Sequence, residues 1–390
     1  MKLCLLTPRF PFPENGGDVL RINNIARYLK SKNHELILIS FYEKEIKIEK
    51  KYFELYDTIY MVKRNKIVSA IMSFCAVLTG KPIQCGYYFS LNFLKQLRRT
   101  IKQESPEIYI SHLLRMIPYL EMTHQTNKTI VEMTDALSKT YQLSSKAKGS
   151  FIKRLIYKLE VHLIKRYEKR VIKNFPKIAL VSESDIEYLS NQCGKSNSLY
   201  LYTNGVDCLI QIPKTYKVNQ ICFVGNMRTL QNQDAVIHFI NDILPKIKNK
   251  LPQVVFKIIG AEPSETIKKF HDGTNIIVTG FVDDIRKEIS ECCVAVAPVR
   301  VAAGIQNKVL MAMGCGVPVV LTPLISSAIK ELEDGENCFI VDNDIDFAQK
   351  CIDIISNTTI RQKLSESGYK TVKDNYSWNK KLEDYEQIVS

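Results

Sequence analysis

A lysine at the start of a helix, a few residues past a glycine that follows a strand, is suited to holding phosphate. Residues 293–322, CVAVAPVRVAAGIQNKVLMAMGCGVPVVLT, read as strand, loop, helix and strand. The loop carries Arg300 and then Gly304, where a missing Cβ lets backbone approach a ligand closely. The helix opens around Ile305, Gln306 and Asn307 and ends at Gly314 and Gly316, with Pro318 just beyond. A first turn offers unpaired N–H groups and the positive end of the helix dipole, to which Lys308 adds a formal charge. The other reading of Lys308 is a surface residue of an ordinary loop-to-helix junction.

Elements able to position such a turn recur along the chain. KLCLLTP is followed by a turn rich in Pro and Gly, a helical pattern GDVLRINNIARYLKSKN, and a second apolar run ELILISFY. Strand, glycine turn, helix and strand make a βαβ unit. Further runs follow at EIYISH, KTIVEMTD, KIALVSES and SLYLYTNGVD, each separated by helix-compatible sequence. After the irregular CLIQIPKTYKVNQ, a second series begins at ICFVGNM and continues through VVFKIIG, IIVTGFV, CVAVAPV, PVVLT and CFIVD. The pattern predicts an α/β protein with two doubly wound parallel sheets, and ligands of such sheets bind at the carboxyl ends of the strands. A chain of 390 residues is also long enough for two cores.

Charge is unevenly spread. Residues 1–207 hold 33 lysines and arginines against 19 aspartates and glutamates, and the remainder 21 against 22. Much of the excess lies in SFIKRLIYKLEVHLIKRYEKRVIKNFPK, whose apolar residues recur at three and four and predict a long amphipathic helix with a basic outer face. That face suits anionic lipid headgroups or an anionic acceptor, and equally a solvated surface. The apolar segment IVSAIMSFCAVLTG suggests a membrane contact or plain core packing. The eleven cysteines include no C-x-x-C pair and read as reduced packing residues. No apolar run reaches a membrane-spanning length, and the start lacks a signal-peptide pattern, so the expected location is the cytosol, with the inner membrane face as a peripheral site. No nucleic-acid-reading module is present, and no G-x-G-x-x-G follows either opening strand, which sets a dinucleotide enzyme aside.

PRFPFPENGGDVLR, TGKPIQCGYYFS, RYEKRVIKNFPKIALVSESD, NGVD, FVGNMRTLQNQDAV, TGFVDDI, GIQNKVLMAMGCGVPVV and YSWNKKLEDYEQIV occur in that order. Together they resemble GT-B glycosyltransferases of the large retaining group called family 4, and more narrowly bacterial surface-polysaccharide sugar transferases. The resemblance implies an acceptor-binding Rossmann-like domain over 1–207 and a nucleotide-sugar-binding one over 219–372, facing across a cleft. A C-terminal helix within 373–390, around Ser377 to Val389, is expected to cross back to the first domain.

Roles follow where residues match. Gly16 and Gly17 resemble the glycines that let backbone reach the donor diphosphate and sugar, and His112 resembles a histidine that contacts the sugar. A hydrogen-bonded histidine at a strand end is the other reading of His112. Asp135 is placed to orient an acceptor hydroxyl or the donor sugar, or else to cap the next helix. Gly225 resembles the glycine after the first strand of the second sheet, Arg228 supplies charge to the diphosphate, and backbone at Phe281 and Val282 holds the base.

The family's arginine and lysine after that glycine are here Asn226 and Gln231, so Arg228, Arg300 and Lys308 share the neutralisation. Its two glutamates are here Ala303 and Met311, the second of which ordinarily accepts from the ribose hydroxyls. The implied reaction is transfer of a sugar from a nucleoside diphosphate sugar to a saccharide or lipid-linked acceptor. No metal and no cofactor is expected, since no D-x-D-type carboxylates cluster. A non-catalytic scaffold with a decayed donor site, and a UDP-sugar epimerase of the same architecture, stay open.

Overall fold

The computed structural model describes residues 1–390 except 15, 44–48, 146–150, 195, 210, 213–215, 301–305 and 390, and the backbone alone at 143–145, 151–155 and 157. Contacts divide the chain into two units, residues 1–204 with 381–390, and residues 205–380.

In the first unit, β1 (Lys2–Thr7), β2 (Glu35–Tyr42), β3 (Thr58–Lys63), β4 (Ile108–His112), β5 (Thr129–Thr134), β6 (Lys177–Leu180) and β7 (Leu199–Leu201) form one sheet in the order β3-β2-β1-β4-β5-β6-β7. Every pairing is parallel. A sheet buried on both faces needs near-continuous apolar strands, and Leu3, Cys4, Leu5 and Leu6 of β1 are all fully buried. Edge strand β3, TIYMVK, has only Val62 buried and lacks that signature, and for this reason the apolar runs did not reveal it.

Three helices of this unit matter below: α1 (Gly17–Ser31), α2 (Lys66–Leu78) and α3 (Phe151–Asn174). Val19, Ile22, Ile25, Ala26 and Leu29 bury one stripe of α1, and Arg21 lies on the same buried side. The long helix expected from the basic segment is α3. Leu163, Ile164, Tyr167 and Val171 bury its inner face, and its two acids turn inward with them. Glu160 accepts the Ile83 N–H at 2.8 Å and Glu168 the Ser138 N–H at 3.0 Å.

The chain end departs from expectation. Instead of one helix from Ser377 to Val389, there are two short ones, Trp378–Lys381 and Glu386–Val389. The Tyr28 and Tyr202 hydroxyls each donate at 2.9 Å to the carbonyls of Glu383 and Asp384, and so draw this stretch into contacts with the first unit.

The second unit has β8 (Lys217–Val224), β9 (Val255–Ile259), β10 (Ile276–Gly280), β11 (Cys292–Ala297), β12 (Val319–Leu321) and β13 (Phe339–Ile340), in the order β10-β9-β8-β11-β12-β13. These pairings too are all parallel. Helices α4 (Leu230–His238), α5 (Asn307–Gly314) and α6 (Thr358–Tyr376) pack on this sheet or on one another. All eleven cysteines of the chain are free and eight are buried, as packing residues would be. Among the described residues, no helix is long and apolar enough to cross a membrane.

Each sheet therefore reverses its strand order once, beside β1 in the first unit and beside β8 in the second. Crevices at such reversals, at the carboxyl ends of the strands, are where doubly wound sheets bind ligands.

Candidate active site

The turn after β8 is built backward from Lys308. This lysine sits in the first turn of α5, stacks its ammonium 5.0 Å from the centroid of the Phe223 ring, and donates to Asn232 Oδ1 of α4. The Asn232 amide in turn donates at 2.9 Å to the Asn226 carbonyl, and Asn226 Oδ1 accepts the Arg228 N–H at 2.8 Å. Gly225 is required where Asn232 closes over the turn, since a Cβ there would lie 2.6 Å from Asn232 Nδ2. One asparagine thus ties the glycine turn to the start of α5. Burial pushes the Lys308 ammonium down to about 8, and no carboxylate is among the causes of the shift. Gln306 occupies the N-cap position of α5 and Asn307 is exposed at its first residue.

Other expected contributors are more scattered. Arg228 is exposed and lies 3.6 Å from Glu262. Arg300 is committed to Asp234, donating at 3.1 and 2.6 Å, so it neutralises a carboxylate of its own chain. It also lines a cavity of about 360 Å³ with His238, Thr322 and Asp342, at the carboxyl ends of β11 to β13 and so on the side of β11 away from β8. Phe281 is exposed and Val282 half-buried, directly after Gly280 at the carboxyl end of β10. Met311 is half-buried and packs against the core. Gly304 and Ile305, and Ala303 beside them, lie outside the described residues.

In the first unit, Gly16 has φ +116°, which favours glycine, while the atom its Cβ would approach at 2.8 Å is Arg9 Nη2, the tip of a flexible, exposed side chain. A Cβ on Gly17 would meet nothing within 4 Å, so the start of α1 opens on free space. Asp18 in that first turn is paired with Arg9, whose Nε donates to it at 3.0 Å.

His112 ends β4, is 2% exposed, and has no hydrogen-bond partner on either ring nitrogen among the described residues. The hydrogen-bonded alternative is therefore not what the structure shows. Burial drives its pKa down to about 3, partly opposed by Asp18 and reinforced by Arg21, Arg115 and Arg9. A base depressed in this way stays neutral in the folded chain while the unfolded chain protonates near 6.5, so this group costs stability as pH falls from about 6.5 toward 3. Nitrogen-detected NMR of labelled histidine should find His112 still neutral at pH 5, and a midpoint above 6 would contradict this burial.

The residues flanking His112 and Asp135 are strained. Leu113 has φ +69° and Thr134 φ +70°, the latter in a conformation that a β-branched side chain rarely adopts. Asp135 is exposed, and among the bonds of the described residues its carboxylate accepts none from the helix Leu137–Ser145. Surrounding atoms and the neighbouring Asp185 carboxylate raise its pKa.

Sequence reasoning missed Asn232 and a buried network behind His112. Arg21 and Glu132, both fully buried, pair at 2.8 Å. Tyr385 donates to the other Glu132 oxygen at 2.6 Å, and Arg21 Nη1 donates to the Tyr202 carbonyl at 2.9 Å and to Asn204 at 3.1 Å. A glutamate inside the strand run TIVEMT was the available signal, because a charge there must have a partner.

Residues 218–357 match the family model described as glycosyl transferases group 1. In fold, the chain resembles the crystal structure of Anabaena HepE in complex with UDP, with TM-score 0.64, 12% identity, and coverage of 100% of this chain and 99% of that one. The chain has the GT-B fold of glycosyltransferases. Two curated relatives are described as uncharacterised. One, from Klebsiella pneumoniae, is described as a 44.6 kDa protein in the cps region, 22% identical over 97% of both chains. The other is a glycosyltransferase of Methanocaldococcus jannaschii, 25% identical over 56% of each.

Proposed function

We propose that this chain is a glycosyltransferase that moves a sugar from a nucleoside diphosphate sugar to a saccharide or lipid-linked acceptor, with retention and without a metal, in surface-polysaccharide synthesis. The observation that carries the reading is the Lys308–Asn232–Gly225 cradle at the strand-order reversal of the second unit. A half-buried lysine that donates to a neutral amide, at a helix start, suits a diphosphate far better than it suits structure alone. The relative in the cps region supports the polysaccharide context, and the UDP in the HepE structure makes UDP the first nucleotide to try.

In this reading the bond from the sugar's anomeric carbon to phosphate breaks, and the acceptor oxygen bonds to that carbon on the same face. The acceptor's proton passes to an oxygen of the departing diphosphate. Lys308, the first N–H groups of α5 and the Arg228 side chain hold the growing negative charge. Neutral His112 offers one donor and one acceptor nitrogen to sugar hydroxyls, and Asp135 orients the acceptor hydroxyl. Met311 gives the ribose only a thioether, so its hydroxyls must find other acceptors.

Thermal unfolding with UDP, GDP, CDP or ADP, each with and without EDTA, tests this. One nucleotide should raise the Tm equally in both conditions; saturation at a hundred times Kd stabilises the fold by about 2.7 kcal/mol. No shift at millimolar concentration of any of the four would favour a scaffold with a decayed donor site.

A further inference from the structure

Helix α2 is turned inside out. Its buried positions are Ser69 and Ala76, while Ile67, Ile71, Phe74 and Leu78 are 74%, 59%, 67% and 72% exposed. These four recur at spacings of four, three and four, so they form one continuous stripe along the outer face. An exposed apolar stripe of this kind marks an interaction surface.

Its surroundings select the occupant. Lys63 and Lys66 are exposed at the amino end of α2. At the carboxyl end a Cβ on Gly80 would lie 3.9 Å from Arg166 of α3, and Lys81 and Arg170 share Glu121 at 3.8 and 3.2 Å. Arg166, Lys169 and Lys173 stand exposed on α3, whose acids Glu160 and Glu168 are buried. The stripe is thus flanked by cations at both ends. A second copy would set these cations against their own kind, whereas an anionic lipid surface complements them. A helix of 13 residues is about 20 Å long, short of the roughly 30 Å of a hydrocarbon core, so it lies in the membrane surface and does not cross it.

We propose that α2 seats the first unit on an anionic phospholipid bilayer, its Ile67–Ile71–Phe74–Leu78 stripe entering the acyl boundary while the exposed lysines and arginines of α2 and α3 meet the headgroups. The proposal stands independently of sugar transfer.

Flotation of the full chain with phosphatidylcholine vesicles, with and without phosphatidylglycerol, tests it. Binding should be at least about tenfold stronger to the anionic vesicles and should fall with salt. The double variant Ile71→Ser, Phe74→Ser should lose about tenfold in binding, and Arg166→Glu with Lys169→Glu should lose the anionic preference. All four positions are exposed, so unchanged melting curves would exclude misfolding, and an unchanged nucleotide-induced Tm shift would separate this result from the donor site. Equal binding to both vesicles, or an unaffected double-serine variant, would overturn the proposal. So would a concentration-dependent dimer that the double-serine variant dissolves, in a wild-type chain that ignores vesicles.

Discussion

Lys308→Ala should weaken nucleoside diphosphate binding by about ten- to a hundredfold at pH 7, the loss expected for a charge-assisted hydrogen bond of about 1.5–3 kcal/mol. Turnover should fall further, by about 10²–10³, because the charge on the leaving diphosphate is greater in the transition state than in the bound donor. The wild-type chain should show a pH signature that the variant lacks. With the free lysine at about 8, the cation that receives the diphosphate is depleted as pH rises above that value. Affinity should then drop by up to about tenfold for each further pH unit, and by less as the bound anion draws the proton back. Isothermal titration at pH 7, 8 and 9 reads this directly. A variant that binds within twofold of wild type, or a wild-type profile flat through pH 9, would remove Lys308 from the donor site.

Asn232 sharpens the same test. Asn232→Ala leaves the charge of Lys308 in place but removes both the contact that aims it and the amide that closes the Gly225 turn. Its effect on diphosphate affinity should be smaller than that of Lys308→Ala and should keep the pH dependence. Titration of the two variants side by side separates a charge from its support; a flat profile in Asn232→Ala would mean that the lysine no longer reaches the ligand.

What the sequence made legible follows from how doubly wound sheets are stabilised. Strands covered on both faces must be apolar throughout, and β1, β2 and β11 announce themselves for that reason. Edge strand β3 needs only one protected face and escaped notice. Gly225 was readable because close packing leaves no room for a side chain and Gly16 because its φ is positive, whereas Gly17 carries no steric signature at all. His112 and Lys308 were visible as residue types at strand and helix ends, but their environments were not. That both histidine nitrogens lack partners among the described residues, and that Arg300 is spent on Asp234, depends on elements far apart in sequence. Periodicity also left the sign of α2 open. Four apolar residues at helical spacing define a face, but only the packing of Ser69 and Ala76 shows that this face is turned outward.

The tail was the other misreading, and its cause leads to the largest expected change in stability. Leu382, Tyr385, Ile388 and Val389 are all buried, a spacing that a helix and a chain of short turns satisfy alike. What settles the conformation is Tyr385, whose hydroxyl reaches Glu132 in the centre of the first sheet, where Arg21 holds the other carboxylate oxygen. A buried ion pair adds little over an apolar replacement, but removing one member strands the other charge without solvent. Arg21→Met should therefore cost about 3–5 kcal/mol in urea unfolding, much of it regained in the double variant Arg21→Met, Glu132→Leu. Tyr385→Phe removes a single hydrogen bond to a charged group and should cost about 1.5–3 kcal/mol. If Arg21→Met and the double variant unfold at the same urea concentration, the stranded carboxylate is not the source of the loss. The Arg21 guanidinium also holds the Tyr202 carbonyl and Asn204, the last residues of the first unit before Gly205. One buried arginine therefore fastens the chain where it leaves this unit and, through Glu132 and Tyr385, where it returns.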